Sequence, residues 1–250
     1  ITDTLANLAD SGSISTNFSR ARGDDTDVKV VVSDGTGTLS AADLKAVTEK
    51  TTGTVTLQSA QNISGSGSDL VAALKTDPVT LSAASTATIT SAVTAAVAAE
   101  IAAITDITLD SSGDGTITDT LENLLNEGQT AISTAFSNAR AEDTDVNVII
   151  SDGTGSIDAA KLSLITAKTT GTVTLQNAQT VSGTGDEVTA ALKTDPVTLS
   201  AASNATVTGN VTAEVAGNIA NVTDITAAFS GTITDTLANL ADSGSISTNF

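Results

Sequence analysis

The sequence has 250 residues, a formal net charge of −19 and no Cys, His, Met, Trp or Tyr. The absence of Cys and His removes disulfides, the usual soft metal ligands and the commonest general base. The acidic charge leaves no basic patch for nucleic acid, and no apolar stretch reaches the roughly 18 residues of a membrane span. We therefore expect no enzyme activity, no nucleic-acid partner and no membrane insertion.

The chain opens with a sequence that returns later. Residues 1–18, ITDTLANLADSGSISTNF, recur letter for letter at residues 233–250, and a looser copy occupies residues 117–136. Recurrence of this kind is typical of a repeat array in which each unit packs on its neighbours. We predict repeat 1 at residues 1–116, repeat 2 at residues 117–232 and the start of repeat 3 at residues 233–250. We also expect the natural polypeptide to be longer.

After the opening sequence, a β-branched run at residues 28–32 predicts a first strand. Ser-Asp-Gly-Thr-Gly follows at residues 33–37 and predicts a turn, because Asp and Gly tolerate unusual backbone angles. A helix is expected next, with Ser40 as its cap and Asp43 at its third position, a partial capping box. Its buried side is predicted to consist of Leu44 and Val47 and, in the second copy, Leu162 and Ile165.

The next segment repeats this order. Residues 55–57 predict a second strand, and Ser68 is expected to cap a helix whose apolar residues are spaced at i, i+3 and i+4. Those residues are Leu70, Ala73 and Leu74. Pro78 is expected to end this helix and to stand at the start of a third strand at residues 79–81, where a missing N–H is tolerated.

The longest predicted helix covers residues 88–104, because an apolar stripe there recurs at the same spacing in the second copy. The stripe consists of Ile89, Val93, Val97, Ile101 and Ile104, and its copy of Val207, Val211, Val215, Ile219 and Val222. A fourth strand is predicted at residues 106–109. The second copy of the opening sequence is then expected to be helical, with Ile117, Leu121 and Leu124 inward, and a further helix is expected at residues 131–140.

Strand, turn and helix therefore recur at an interval of roughly 29 residues, which is typical of α/β solenoids. We predict an α/β repeat fold, a solenoid of short stacked parallel strands with short helices on the opposite wall. The alternative is an all-β solenoid, because Thr is abundant and favours strands. The i, i+4 stripes argue against that alternative.

One loop has a spacing that suggests metal binding. Residues 110–117, DSSGDGTI, resemble the first half of an EF-hand or dockerin calcium loop, in which alternate oxygens point at the ion. We predict Ca²⁺ as the cofactor, with ligands from Asp110, Ser112, Asp114 and Thr116. The pattern departs at the twelfth position, which is Leu121 and not an acid, and the second repeat lacks the loop. The alternative is a polar turn before a helix.

Two acidic clusters precede matching strands, at residues 24–27 and 142–145. Cation binding between units is one interpretation of these clusters. A solvated, charged surface is the other, and runs of like charge usually have that role.

Two longer phrases resemble known proteins. TTGTVTLQSAQNISGSGSDLVAALK and TTGTVTLQNAQTVSGTGDEVTAALK are similar to the repeats of giant extracellular surface proteins of cyanobacteria, including those associated with swimming in marine unicellular forms. The shared elements are an AA-x-L helix, TTGTV, an ISGTG-like turn and an A-A-L helix, here at residues 41–44, 51–55, 63–67 and 72–74. The resemblance implies an extracellular, structural or adhesive role and names no catalytic residue.

We predict a structural segment of a very large repetitive extracellular or cell-surface protein that forms a fibre, filament or coat. Its expected partners are neighbouring repeats of the same chain and further copies of itself. The alternative is a calcium-dependent adhesin stalk that binds surfaces or glycans. An adhesin would be expected to carry an aromatic-bearing tip, whereas the four Phe residues are the only aromatic side chains here.

Overall fold

The computed structural model describes residues 1–75, 79–80, 85–104, 107–110, 115–192, 197–198, 203–222, 225–242 and 245–246. In these ranges the chain is a mixed α/β protein in which short helices alternate with strands of four-stranded parallel sheets. It divides into two compact units, which are Ile1–Ile117 with Ala135–Asp143 and Thr118–Thr134 with Thr144–Phe250. The mixed α/β prediction is thus confirmed, and the all-β alternative is wrong.

Short elements make up the first part of the chain. The strands are β1 (Thr2–Asp3), β2 (Ala9–Asp10), β3 (Ser13–Ile14), β4 (Val30–Val32), β5 (Gly37–Ser40), β6 (Val55–Leu57), β7 (Gln61–Gly65), β8 (Val79–Thr80), β9 (Ser85–Ile89) and β10 (Ile107–Asp110). The helices are α1 (Leu5–Leu8), α2 (Thr16–Arg22), α3 (Ala41–Thr48), α4 (Gly67–Leu74) and α5 (Ala95–Ala102).

Similar elements follow. The strands are β11 (Thr116–Asp119), β12 (Asn147–Ile150), β13 (Gly155–Asp158), β14 (Val173–Leu175), β15 (Gln179–Thr184), β16 (Val197–Thr198), β17 (Ser203–Thr208), β18 (Ile225–Phe229), β19 (Ala241–Asp242) and β20 (Ser245–Ile246). The helices are α6 (Leu121–Leu124), α7 (Thr134–Glu142), α8 (Ala159–Thr166), α9 (Gly185–Leu192), α10 (Ala213–Ala220) and α11 (Leu237–Leu240).

The first unit contains two parallel sheets, ordered β1-β4-β6-β8 and β10-β9-β7-β5. In the first sheet Val30 pairs with Val55, and Val55 pairs with Val79. In the second sheet the backbone amide of Gln61 in β7 donates to the hydroxyl of Ser85 in β9. Ser85 lies 24 residues further along the chain. Parallel neighbours require a crossover, and between β5 and β7 that crossover contains α3 and β6.

The core of the first unit follows from this alternation. Along the central strands every second side chain is buried, as the period of two of a β-strand requires. These side chains are Val30, Val32, Val55, Leu57, Ile63, Ala87 and Ile89. The helices α3, α4 and α5 pack side by side in chain order, with Leu44, Val47, Leu70, Ala73 and Ile101 buried.

The second unit repeats these strand pairings. Val148 pairs with Val173, and Val173 pairs with Val197. The backbone amide of Gln179 in β15 donates to the hydroxyl of Ser203 in β17, again across 24 residues of sequence. Neighbouring strands therefore follow one another at the same interval in both units.

The predicted buried side of the first helix is confirmed in both units. Leu44 and Val47 of α3 are fully buried, and so are Leu162 and Ile165 of α8. Their i, i+3 spacing places each pair on one face of its helix, which is the face that packs on the core.

A glycine sets the distance between α4 and residues 93–97, which include the start of α5. A Cβ placed on Gly67 would lie 2.8 Å from Cγ1 of Val97 and closer still to Cγ1 of Val93. Gly185 has the same relation to Val211 and Val215 in the second unit. The close approach explains why a residue of poor helix propensity begins each of these helices.

The predicted strands at residues 28–32 and 55–57 are confirmed as β4 and β6. The prediction of one strand per helix is wrong, because a second strand stands before each of α3 and α4. The predicted turn at residues 63–67 lies largely within β7, which ends at Gly65. The predicted interval between strands is also too long for most described neighbours, although β1 and β4 do show it, since Thr2 pairs with Val31.

The predicted helix at residues 88–104 is confirmed only over α5 (Ala95–Ala102), and its first part is wrong. Ile89 ends β9, Val93 forms an isolated parallel bridge with Ile117, and α5 begins only at Ala95. The Thr94 side chain accepts a hydrogen bond from the Val97 amide and so caps the helix. The stripe is therefore apolar because a strand, a bridge and a helix each bury residues, and its i, i+4 spacing is helical only from Val97 to Ile101.

Two local predictions also need correction. The cap of α4 is Ser66 and not Ser68, since the Ser66 hydroxyl accepts the Asp69 amide at 3.2 Å. Ile117 is buried as predicted but lies in β11, which comes before the helix. Ser40 is confirmed as the cap of α3. Pro78 lies outside the described residues, and the predicted repeat boundaries stay a prediction.

Candidate functional site

The predicted calcium loop is described only at its edges. Ser112 and Asp114 lie outside the described residues, as does the side chain of Asp110. Thr116 is half-buried, and its carbonyl accepts the Val93 amide at 2.9 Å. Among the residues that the structure describes, no group of three or more acidic side chains is placed to hold a metal ion. Calcium binding at this loop stays a prediction.

The acidic cluster at residues 24–27 contains one close carboxyl pair. The Asp27 amide donates to Asp25 Oδ1 at 3.1 Å. A hydrogen bond from the Asp27 side chain lowers the pKa of Asp25, and the same contact raises the pKa of Asp27. Arg22 donates to the Asp25 carbonyl at 3.0 Å. Both carboxyl groups are exposed, so this pair fits the interpretation of a solvated, charged surface.

A shallow cavity of about 280 Å³ lies beside α3 and α4. Its lining includes Lys45 and Asp69, whose charged groups form an ion pair at 2.9 Å. The pKa of Asp69 is lowered first by the Ser66 hydroxyl and then by Lys45. Because Lys45 belongs to α3 and Asp69 to α4, this pair joins two helices and presents no unpaired catalytic group.

The most specific arrangement in the first unit is built on the opening sequence. Asp3 Oδ1 accepts the Thr4 amide at 2.9 Å and the Asn7 side-chain amide at 2.7 Å, which closes the turn before α1. The Leu5 amide donates to Oδ2 of Asp34, 29 residues further along the chain, at 2.7 Å. A carboxylate acceptor of this kind satisfies a backbone donor that the helix itself leaves unpaired.

The second copy forms the same arrangement. Asp119 Oδ1 accepts the Thr120 amide at 3.0 Å and the Asn123 side chain at 2.7 Å. The Leu121 amide donates to Asp152 Oδ2 at 2.7 Å. The shared sequence Asp-Thr-Leu-x-Asn thus specifies the same turn in both copies. The backbone amide of its Leu donates to the Asp of the Ser-Asp-Gly turn that follows in the chain.

Each Ser-Asp-Gly turn is also held from its other side. The Gln61 side-chain amide donates to the carbonyls of Asp34 and Gly35, at 3.1 and 2.8 Å. The Gln179 side chain makes the same pair of bonds to Asp152 and Gly153. Sequence reasoning did not single out either Gln, although the same residue at matching positions of both copies was a usable signal.

The third copy, at residues 233–250, contacts what precedes it. Asp235 Oδ2 accepts the Ala213 amide at 3.0 Å, at the first residue of α10. Asp235 Oδ1 accepts the Thr236 amide and the Asn239 side chain, as in the other copies. Asp34, Asp152 and Asp235 therefore all accept the first amide of a helix that lies earlier in the chain.

Asp34→Ala should lower the free energy of unfolding by about 1–2 kcal/mol, because the Leu5 amide would lose its acceptor in a half-buried position. Asp34→Asn, which retains a side-chain oxygen, should lose less. Urea unfolding at neutral pH measures both effects. Asp24→Ala is the matched control, since Asp24 is exposed in the acidic cluster, and an equal loss there would contradict the role of Asp34.

Stability should fall in acid partly through Asp3. The hydrogen bond from Asn7, followed by that from the Thr4 amide, lowers the pKa of Asp3 in the folded state. A lowered folded pKa gives stability that is present above the unfolded value of about 3.9 and is lost as the pH falls through the folded value. Urea midpoints measured from about pH 6 to about pH 3 should therefore decline less in Asn7→Ala than in the parent chain. Equal declines would contradict this assignment.

No helix among the described residues is long and apolar enough to cross a membrane. Comparison of the chain with protein-family models, with curated proteins and with solved structures finds no match in any of the three.

Proposed function

We propose that this chain is a structural segment of a very large, repetitive protein that lies outside the cell or at its surface. In this proposal the chain contributes length and stiffness to a fibre, filament or coat. The observation that supports it most strongly is the recurrence of one arrangement. Leu5 with Asp34, and Leu121 with Asp152, form the same amide–carboxylate bond at the same distance.

The finer architecture in this proposal is an α/β solenoid, and the equal intervals at matching strand pairs of the two units support it. In each unit the backbone amide of a Gln donates to a Ser hydroxyl of the neighbouring strand, 24 residues further along the chain. The other sheets agree, because β4, β6 and β8 pair at the same relative positions as β12, β14 and β16. A stack in which each turn of chain adds one strand to a sheet has this property. The outer strands of such sheets can accept a further strand, which suits an extended array.

Composition supports the proposed location. A protein that is exported in quantity and never recovered is made economically without sulfur and with few aromatic residues, and this chain has no Cys or Met and only four Phe. Its net charge of −19 keeps a repetitive chain soluble. The resemblance of residues 51–75 and 169–193 to giant surface proteins of cyanobacteria points in the same direction.

The proposal is tested by electron microscopy of the producing cells and of material shed from them, labelled with antibodies against this chain. We expect label along filaments or a surface layer that persists after calcium is removed with a chelator. Label confined to the cell interior would contradict the proposal. Filaments that disappear with the chelator would favour the calcium-dependent adhesin stalk, and labelled particles of uniform, compact size would exclude a fibre.

A further inference from the structure

The first and third copies of the opening sequence are identical but differ in burial. Leu5 and Leu8 of the first copy are 3% and 1% exposed. Leu237, which corresponds to Leu5, is 79% exposed, and α11 contains no buried residue. Identical side chains have identical preferences for burial, so the difference comes from what lies against each copy.

The main contacts that bury the first copy come from residues 28–48. The Val31 amide donates to the Ile1 carbonyl at 2.8 Å, and the Ser33 amide donates to the Asp3 carbonyl at 2.9 Å. The Asp43 carboxylate accepts the Gly12 amide at 2.7 Å. Helix α3 packs against α1, β2 and β3. The strand, the Ser-Asp-Gly turn and the Ala/Leu helix of residues 28–48 therefore pack together on the first copy. We call this segment its cover.

Among the described residues of the third copy, the bonds to the rest of the chain all lead to the segment that precedes it. The Thr234 amide donates to the Val211 carbonyl at 2.8 Å, and Asp235 binds the Ala213 amide. The internal bond from Asn239 to Asp235 is present at 2.6 Å. Among the described residues no acceptor binds the Leu237 amide, whereas the corresponding amides of the first two copies both donate to a carboxylate. The exposed face is thus preorganised for a cover that resembles residues 28–48.

We propose that the exposed face of the third copy, formed by residues 233–241, is a docking surface for a strand–turn–helix segment of the kind formed by residues 28–48. The segment is supplied in cis, by a further unit of the same array. This inference rests on the proposed function and adds to it the contacts that join one unit to the next.

A second molecule of this chain fits the face less well. Its residues 28–48 already cover its own residues 1–18, so that binding in trans would require exchange. Each exchange would cover one copy and expose an identical one, so no additional apolar surface would be buried. Association would still cost translational and rotational freedom. Supply in cis gives the same contacts without that loss.

The test extends the chain by joining residues 19–116 after Phe250. Because residues 233–250 are identical to residues 1–18, the joined sequence continues as the first repeat does. Leu237→Ala should leave the melting midpoint of the 250-residue chain unchanged within about 1 °C and lower that of the extended chain by about 5–10 °C. Leu5→Ala should lower both midpoints to a similar extent. An extension of the same composition in scrambled order is the control.

Hydrogen exchange of the Leu237 amide gives a second readout, made also on a shorter extension by residues 19–75 in case the longer one does not fold. We expect the Leu237 amide to exchange more slowly with either native extension. With the scrambled extension its exchange rate should not change. The inference would be overturned if Leu237→Ala left the melting midpoint of the extended chain unchanged and the extension did not slow exchange of the Leu237 amide. Dimers of the unextended chain that dissociate on Leu237→Asp would also overturn it. Neither result depends on whether labelled filaments are found on cells.

Discussion

Gly53→Ala should destabilise the first unit by about 3 kcal/mol, at the upper end of what overpacking a filled site costs. A Cβ at Gly53 would lie 2.6 Å from the Val28 carbonyl oxygen and closer still to that of Asp27. Both obstacles are backbone atoms, so no side chain can turn away. The Thr52 amide also donates to the Thr26 carbonyl at 2.7 Å, which ties the two segments together.

The matched control for this substitution is Gly35→Ala. Gly35 is exposed, and a Cβ there would meet no atom within 4 Å. Gly171→Ala should behave like Gly53→Ala, because its Cβ would collide with the carbonyls of Asp145 and Val146. Chemical unfolding of the three variants measures the effects. A loss at Gly53 no larger than at Gly35 would contradict the close backbone approach.

Sequence reasoning located most elements because β-branched runs and amphipathic spacing act locally. Val55 to Leu57 was predicted as a strand from its composition, and the burial of Leu70, Ala73 and Leu74 in a helix followed from their spacing. These signals depend only on neighbours within a few residues. The positions of α3 and α4 and of the strands before them, β4 and β6, could therefore be predicted.

The strands β5 and β7 were missed because their sequences look like turns. Gly37 to Ser40 and Gln61 to Gly65 are rich in Gly, Ser, Thr and Asn, which are usually loop residues. They are strands because they pair with each other in parallel register, Gly37 with Gln61 and Ser40 with Ser64. A single sequence does not reveal such a partner unless the register is already known, and tertiary pairing here overrides local preference.

The candidate site shows the same limit. The motif that contains Asp3, Leu5 and Asn7 was recognisable as a recurring sequence, and its turn is a local structure. Its bond to Asp34 spans 29 residues, and no spacing rule connects the two. The predicted calcium ligands were chosen on local spacing alone, and two of them, Ser112 and Asp114, lie outside the described residues.

Phe18→Ala should lower the free energy of unfolding by about 3–5 kcal/mol, the range for removing a fully buried aromatic side chain. Phe18 is 2% exposed and belongs to α2, which packs on α1. The Ser15 hydroxyl accepts the Phe18 amide at 3.0 Å and fixes the start of this helix. The expected cost is high because most other buried apolar side chains of the first unit are Ala, Val, Leu and Ile, which are too small to fill the cavity.

Two further variants separate this packing effect from loss of an aromatic ring as such. Phe18→Leu keeps most of the volume and should cost clearly less than Phe18→Ala, since the remaining cavity is smaller. Phe229→Ala removes the same side chain from a half-exposed position in β18 and should cost less again. Thermal and urea unfolding of the three variants rank the losses. If Phe229→Ala proved as costly as Phe18→Ala, the first copy of the opening sequence would not be the buried element that its contacts indicate, and the contrast between Leu5 and Leu237 would lose its physical basis.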